Sequence, residues 1–353
     1  MYVIPPLPVT DARFTSSTVV ETAPAAYAGG TTYALNDTAS VAGAAGLITT
    51  YRSLQGSNTG HTPSSSPTWW VDIGNTYQVY SGAATYALAD RVIDATTHKV
   101  YESLIAGNIG QALTDTTKWL YLGATNKWAI FDYLRNVKTI VPTTMTFVLT
   151  PGTRVDAIAL THLIANSVSI TIVSNSVTVY SYSETLTNRF TDGWYSYFFG
   201  EFSNRENVLR LDLPPYVDAI ITVTLTATSG NVQCGGVVLG MKFHLGTAQY
   251  DAESDVLNFS TVVRDFDGGT AVLTQRRNIP KTNQRLFVEK TRIDAIAEFR
   301  EHNGALPCYW TALDDATDDW FYILSVIGIY KKFVINAALP DYATIDLELE
   351  GIS

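Results

Sequence analysis

Aromatic residues recur at matching positions in two neighbouring stretches of the sequence, residues 21–75 and 76–125. Three matched pairs are aromatic, Tyr27/Tyr80, Tyr33/Tyr86 and Trp70/Trp119. Two further pairs are glycines, Gly60/Gly110 and Gly74/Gly123. Units of this size are too small for a generous core. Some of the rings should therefore remain exposed as flat platforms, and such rings bury large apolar area at little entropic cost. The C–H faces of pyranose rings are a suitable partner for them.

The aromatic residues of the tandem divide into those expected to contact a ligand and those expected to pack. The predicted carbohydrate contacts are Trp69, Trp70, Trp119, Tyr121, Tyr27 and Tyr80. Trp69 and Trp70 are adjacent, and adjacent strand residues point to opposite faces, so at least one of them should leave the core. The tyrosines predicted mainly to pack are Tyr33, Tyr51, Tyr86 and Tyr101. The alternative is that all the aromatic residues form two small cores.

The rest of the chain lacks the common sequence motifs of catalytic and metal-binding sites. The five histidines are isolated, without an HExxH pattern or a companion cysteine. No G-x-S-x-G sequence occurs, and Gly235-Gly236 and Gly268-Gly269 lack the setting of a phosphate loop. We therefore predict that the protein is not an enzyme and needs no cofactor.

Two further groups of residues are candidates for metal binding or redox chemistry. Asp314, Asp315, Asp318 and Asp319 could supply oxygen ligands to Ca²⁺. The cluster lacks the glycine and terminal glutamate of an EF-hand loop, so a solvated hairpin tip is the favoured interpretation. The two cysteines, Cys234 and Cys308, match no metal or redox spacing and are predicted to be free buried thiols.

Composition limits the class of protein and its partners. Of 353 residues, 16% are charged and 12% aromatic, a mixture that favours strands. The net charge of -10, with no dense run of Lys and Arg, argues against nucleic acid and anionic membranes as partners. The N-terminus lacks a signal-peptide pattern, and the longest apolar stretch, at 320–330, is too short to span a bilayer. We expect synthesis in a host cytoplasm and no membrane insertion.

The fold of the whole chain is predicted to be mainly β and to consist of several domains. Residues 1–20 read as an extended arm that contacts a neighbour or stays mobile. Two small β modules follow at 21–75 and 76–125, with strands at 32–35, 47–53, 85–88 and 99–104. Strict alternation at Val168, Ile170 and Ile172 and again at Ile221, Val223 and Leu225 predicts an antiparallel β-sandwich or jelly roll over 126–247.

Residues 248–353 are predicted to be a β domain with one helix. Thr291 is the expected N-cap, and the helix should end at Asn303-Gly304. Strands are predicted at 256–263, 269–275, 285–288, 320–329, 333–338 and 344–350. In the last of these, Asp346, Glu348 and Glu350 alternate with apolar residues, so the charged face should meet solvent or a partner.

Each unit of the tandem resembles the small chitin- and cellulose-binding modules that chitinases carry as appendages. The second unit carries the resemblance best, through Tyr86, Ala89-Asp90-Arg-Val92, Lys99-Val-Tyr101 and Trp119, while Tyr27 and Tyr80 stand where a tryptophan is common. The resemblance implies that the tandem binds polysaccharide.

The rest of the chain resembles structural proteins of bacteriophage tails. Trp128-Ala-Ile-Phe-Asp132, Asp156-Ala-Ile-Ala-Leu160 and Gly235-Gly-Val-Val-Leu-Gly240 are similar to a galactose-binding-like β-sandwich of virion proteins. Residues 258–351 resemble a tail or baseplate attachment domain. Together these resemblances imply a tail-tip or baseplate protein of the virion, homo-oligomeric there, with other tail proteins and host surface polysaccharide as partners.

Two other functions compete with reversible adsorption to host glycans. In a purely architectural virion protein, the aromatic units would pack on neighbouring subunits and never meet sugar. In a polysaccharide depolymerase, paired carboxylates would face each other across a cleft. The sequence singles out no such pair.

Overall fold

The fold is mainly β, as predicted, with about half of the chain in strands. The computed structural model describes residues 1–352 except 135–136, 190–192, 201, 251, 265–270, 277, 315–320 and 338–339. The strands of the first 125 residues are β1 (Tyr2–Ile4), β2 (Phe14–Ser17), β3 (Thr38–Ala42), β4 (Leu47–Ser53), β5 (Trp70–Val79), β6 (Thr85–Tyr86), β7 (Arg91–Asp94), β8 (Lys99–Ser103), β9 (Asn108–Ile109) and β10 (Trp119–Ala124).

The two units of the tandem share one six-stranded sheet in the order β10-β8-β7-β5-β4-β3. The joint is the parallel pairing of β5 with β7, where Gln78 lies opposite Val92 and Val79 opposite Ile93. Backbone hydrogen bonds therefore hold the units together, so they do not lie as separate modules. The predicted strand 32–35 is wrong: only Tyr33 forms a bridge, to Asn58.

Residues after the tandem form two sheets packed face to face. The elements are β11 (Thr139–Leu149), β12 (Ala157–Thr161), β13 (Ser167–Ser174), β14 (Val177–Thr185), β15 (Thr187–Arg189), α1 (Trp194–Phe199), β16 (Phe202–Asn204), β17 (Val208–Arg210), β18 (Ile220–Cys234) and β19 (Gly236–Gly240). One sheet has the order β14-β13-β18-β11-β2 and the other β17-β12-β19. The apolar residues of the alternating segments, such as Ile170 and Val223, are fully buried between them. The predicted sandwich is confirmed.

The last region is an eight-stranded sheet with a helix packed on it. Its elements are β20 (Phe243–His244), β21 (Thr247–Ala248), β22 (Glu253–Asn258), β23 (Thr261–Arg264), β24 (Ala271–Thr274), β25 (Asn278–Glu289), α2 (Ile293–His302), β26 (Cys308–Trp310), α3 (Phe321–Leu324), β27 (Val326–Asn336) and β28 (Tyr342–Gly351). The sheet runs β20-β1-β26-β27-β28-β25-β21, with β22 also on β25. Ile296 and Phe299 of α2 pack into its core.

Two details of this region differ from the sequence prediction. Thr291 does not cap α2, because a 3₁₀ turn, Lys290–Arg292, leads directly into the helix without a side-chain cap. Of the predicted strand 320–329, Trp320 lies outside the described residues, and the rest is the helical turn α3 followed by the start of the long strand β27. The charged face of β28 is matched by cations on the neighbouring strands: Lys281 lies 2.7 Å from Glu348, Arg285 3.4 Å from Asp346 and Lys331 3.5 Å from Glu350.

The N-terminal arm packs on its own chain. β1 is an inner strand of the C-terminal sheet, between β20 and β26. β2 adds to the edge of the sandwich beside β11. The expectation that the arm contacts a neighbour or stays mobile is therefore wrong, because its apolar residues Val3, Ile4 and Phe14 are buried in the cores of two regions.

The carboxylate of Glu21 connects the tandem to the sandwich. Its Oε1 atom accepts hydrogen bonds from His98 Nδ1 at 2.8 Å and Thr125 Oγ1 at 2.7 Å. Its Oε2 atom accepts one from Trp128 Nε1 at 3.2 Å. His98 also stacks on Trp128, with ring centroids 4.0 Å apart, and contacts Asp11 of the arm at 3.1 Å. This mostly buried carboxylate therefore joins the second unit to the first residues of the sandwich, and His98 adds the contact to the arm.

Replacing Glu21 by alanine is expected to lower the free energy of unfolding by about 2–3 kcal/mol, because a charged acceptor is lost and its donors remain buried. Urea unfolding of the full chain measures this. Glu102→Ala is the matched control, since the Arg91–Glu102 pair is a partly exposed ion pair worth less than about 1 kcal/mol. Equal losses in the two variants would contradict the connecting role of Glu21.

Asp132 predicts a pH dependence of stability. Burial raises the pKa of its carboxyl from 3.8 to about 6, and its Oδ2 atom has no hydrogen-bond partner. Because the folded pKa lies above the unfolded value, the contribution of Asp132 to stability is present below pH 3.8 and lost as pH rises to about 6. Asp132→Asn should therefore gain stability relative to the parent chain across this window, measured by urea unfolding at several pH values. A difference that does not change with pH would contradict this.

Candidate functional site

Each unit of the tandem is built around the same cluster of three aromatic rings. In the first unit, Tyr27 stacks on Tyr33 with centroids 5.8 Å apart and an 18° interplanar angle. Trp70 meets both rings edge-on, at 4.9 Å from Tyr33 and 6.0 Å from Tyr27. Stacked and edge-on pairs are the preferred geometries of aromatic rings. The three rings therefore form a compact core for a unit with few aliphatic residues.

The second unit repeats this arrangement closely. Tyr80 stacks on Tyr86 at 6.0 Å and 21°, and Trp119 meets the two rings edge-on at 5.7 Å and 5.3 Å. The Tyr80 hydroxyl and the Trp119 indole both donate to the carbonyl of Gln111. The sequence repeat is thus a repeat of structure as well.

A buried hydrogen-bond network is also repeated beside each cluster. In the first unit, Asn58 Nδ2 donates to Ser53 Oγ at 2.9 Å, and Ser53 Oγ donates to the Gln55 carbonyl at 2.8 Å. In the second unit, Asn108 and Ser103 make the same bonds at 3.0 Å and 2.9 Å, the latter to the Ile105 carbonyl. These networks fix the loops that precede Trp70 and Trp119.

One matched pair of glycines, Gly74 and Gly123, lies at β-bulges. Pairing of β4 with β5 shifts register next to Gly74, and pairing of β8 with β10 shifts next to Gly123. Both glycines have positive φ, 117° and 143°, which other residues adopt only with strain. At these bulges, Gly74 approaches Pro142 and Gly123 approaches Val137, both beyond the tandem in the sequence.

Trp70 and Trp119 are buried, each only 2% exposed. The expectation that they present a face to a ligand is wrong, because each fills the centre of its three-ring cluster. Their indole N–H groups are also used internally, donating to the carbonyls of His61 and Gln111. Tyr33 and Tyr86, 8% and 2% exposed, pack as predicted.

The other four predicted contact residues keep accessible surface. Tyr27 and Tyr80 are half-buried and form the outer layer of each cluster. Trp69 lies in the turn just before β5, half-buried against the first cluster, and stacks on His61 at 3.9 Å and 12°. Tyr121 is 53% exposed. These four residues are distributed as two per unit.

The two units present different exposed aromatic residues. Tyr121 lies opposite Tyr101 in the strand pairing, whereas the equivalent partner of Tyr51 in the first unit is Asp72. The Tyr121 ring lies 5.8 Å from the Tyr101 ring, and Lys99 Nζ lies 5.4 Å from its centroid. Burial, together with Asp94 and Tyr121, raises the pKa of Tyr101, so the hydroxyl stays protonated at neutral pH. The position of Trp69 is taken by Lys118 in the second unit.

The sandwich region contains an exposed aromatic helix that was not predicted from the sequence. Helix α1 lies between β15 and β16, which among the described residues pair only with each other. Five of its six side chains are large aromatic groups that are 56–81% exposed: Trp194, Tyr195, Tyr197, Phe198 and Phe199. The sequence of this helix, Trp-Tyr-Ser-Tyr-Phe-Phe, contains no charged residue and is the feature that could have indicated an aromatic surface here.

The remaining candidates for chemistry are spread through the fold. Cys234 and Cys308 are free and buried, as predicted, and burial raises the pKa of each thiol to about 12. Asp314 lies beside the amino group of Met1, while Asp315, Asp318 and Asp319 fall outside the described residues. Within the described ranges, no three His, Cys, Asp or Glu side chains are grouped to hold a metal ion.

No protein-family model matches the chain, and neither a curated protein nor a solved structure gives a significant match to it. In the part of the chain that the structure describes, no helix is long and apolar enough to cross a membrane.

Trp70→Ala and Trp119→Ala are each expected to destabilise their unit by about 3–5 kcal/mol, the usual cost of removing a buried tryptophan. Tyr121→Ala, at a surface position, should cost less than about 1 kcal/mol. Thermal and urea unfolding of the full chain compares the three. Native-like stability of the tryptophan variants would contradict the assignment of these residues to the cores.

Proposed function

We propose that the protein is a structural component of a phage tail tip or baseplate and that its tandem binds host surface glycans reversibly. The observation that carries the glycan part is the accessible aromatic surface around each buried cluster. Tyr27 and Trp69 provide it in the first unit, and Tyr80 and Tyr121 in the second. Such rings can stack on sugar faces while the buried Trp70 and Trp119 hold them in place.

The shared sheet suits repeated weak binding. Because β5 and β7 are hydrogen-bonded, the two units hold a fixed separation and orientation. Two linked sites on one polysaccharide bind with an effective concentration that neither site has alone. Many copies in a virion would extend this effect, so modest affinity per unit is sufficient for adsorption.

Apolar groups exposed outside the tandem support a place in a larger assembly. In the part of the chain that the structure describes, β23 and β24 pair only with each other, and the adjacent residues Val262 and Val263 are 55% and 63% exposed although they point to opposite faces. Val272 and Leu273 of β24 are 61% and 65% exposed. A two-stranded ribbon is marginal in water by itself, so contact with other tail proteins or other copies would stabilise it.

The same ribbon favours a second candidate function, a purely architectural virion protein. In that case the exposed aromatic residues of the tandem also contact neighbouring subunits. The two candidates differ in whether the isolated full-length protein binds glycan.

Glycan-array and host-cell binding of the full chain test the proposal. Tyr27→Ala/Trp69→Ala and Tyr80→Ala/Tyr121→Ala are each expected to weaken binding about tenfold, equivalent to about 1.4 kcal/mol for the lost stacking. Tyr250→Ala is the matched control, because Tyr250 is 98% exposed and lies outside the tandem. Binding that is absent, or unchanged in both double variants, would favour the architectural function.

A further inference from the structure

A cleft of about 370 Å³ lies where the first unit meets the sandwich. Its lining residues are Leu47, Asp72, Gly74, Asn75, Tyr77, Asn126, Ile140, Pro142 and Asn231. One wall is a face of the tandem sheet, where Tyr77 lies opposite Leu47 in the pairing of β4 with β5. The other wall is the paired ends of β11 and β18, where Pro142 lies opposite Asn231. Small-molecule sites in proteins typically occupy roughly 300–1,000 Å³.

Several polar groups in this cleft are free to bind a ligand. In the described part of the chain, the side-chain amides of Asn75 and Asn231 have no hydrogen-bond partner, and both residues are exposed. Asp72 uses Oδ1 to accept from the Gly74 amide at 2.7 Å, which leaves Oδ2 available. The three groups come from both walls, so one ligand can engage them together.

Other lining groups are already fixed and give the cleft its shape. Asn126 donates to and accepts from the backbone of Ile140, at 2.9 Å and 2.8 Å, and so holds the sandwich wall. Arg91 Nη1 donates to the Tyr77 hydroxyl at 3.1 Å, which orients the ring. Glu21, through His98 and Trp128, holds the tandem against the sandwich. The site is therefore largely preformed.

The chemistry of the lining selects the class of ligand. An aromatic ring, aliphatic side chains, two free amides and one carboxylate offer stacking together with paired hydrogen bonds to neighbouring hydroxyls. Asp72 is the single charged residue among the described residues that line the cleft, and Arg91, which contacts Tyr77, is paired with Glu102 at 2.9 Å, so the lining favours neutral ligands.

We propose that this cleft is a second saccharide site, which binds a neutral mono- or disaccharide through Asp72, Asn75, Tyr77 and Asn231. The site is separate from the accessible aromatic surface of the tandem and does not depend on glycan binding there. It would give the chain a small-sugar site beside its polysaccharide-binding surface.

Saturation-transfer NMR on the full chain tests this proposal. The neutral probes are glucose, galactose, mannose, rhamnose, N-acetylglucosamine, cellobiose and lactose, and the anionic probes are galacturonate and sialyllactose. At least one neutral probe should bind at millimolar concentration and the anionic probes should not. Asn75→Ala/Asn231→Ala should weaken that binding at least about tenfold, the effect of losing about 1.4 kcal/mol of hydrogen bonding.

Two control variants separate this proposal from the function proposed for the tandem. Asn204→Ala removes an exposed asparagine on a distant strand, and Tyr80→Ala/Tyr121→Ala removes aromatic surface of the second unit. Both should leave small-sugar binding unchanged, whatever they do to polysaccharide binding. Absence of binding by every neutral probe, or binding that survives in Asn75→Ala/Asn231→Ala, would overturn the proposal.

Discussion

The arrangement of the tandem on the sandwich depends on the buried carboxylate of Glu21. A carboxylate only accepts hydrogen bonds when ionised, and here the donors are His98 and Thr125 of the second unit and Trp128 at the start of the sandwich. Hydrogen bonds to a charged group are stronger than neutral ones, and they become costly when one partner is removed. This carboxylate therefore connects elements that are distant in sequence.

Within the tandem, structural and binding roles are divided between neighbouring aromatic residues. Trp70 and Trp119 supply the cores, whereas Trp69, in the turn before β5, and Tyr121, on β10, keep accessible surface. A small unit can afford few buried groups, so the large indole rings replace an aliphatic core. The divergence of the units at Tyr121 and Asp72 means that the second unit has an exposed ring where the first contributes a carboxylate to the cleft.

Local sequence patterns predicted much of the fold. The period-two alternation around Ile170 and Val223 identified the inner faces of the sandwich, and the boundaries of β4 were predicted correctly. What could not be predicted depends on contacts between distant residues. The parallel pairing of β5 with β7, the place of β1 inside the C-terminal sheet and the contacts of Glu21 have no local signature. The burial of Trp70 and Trp119 was missed for the same reason, since edge-on packing against two tyrosines is a tertiary property.

In the proposed function, the accessible aromatic residues of the tandem contact glycan while the buried tryptophans only support them. Indole ¹⁵N–¹H NMR of the full chain, titrated with fragments of host polysaccharide, tests this residue by residue. The Trp69 indole resonance is expected to shift on titration. The Trp70 and Trp119 resonances should stay in place, because their N–H groups are hydrogen-bonded inside the units. Shifts confined to Trp70 and Trp119, or no shift at any indole of the tandem, would contradict it.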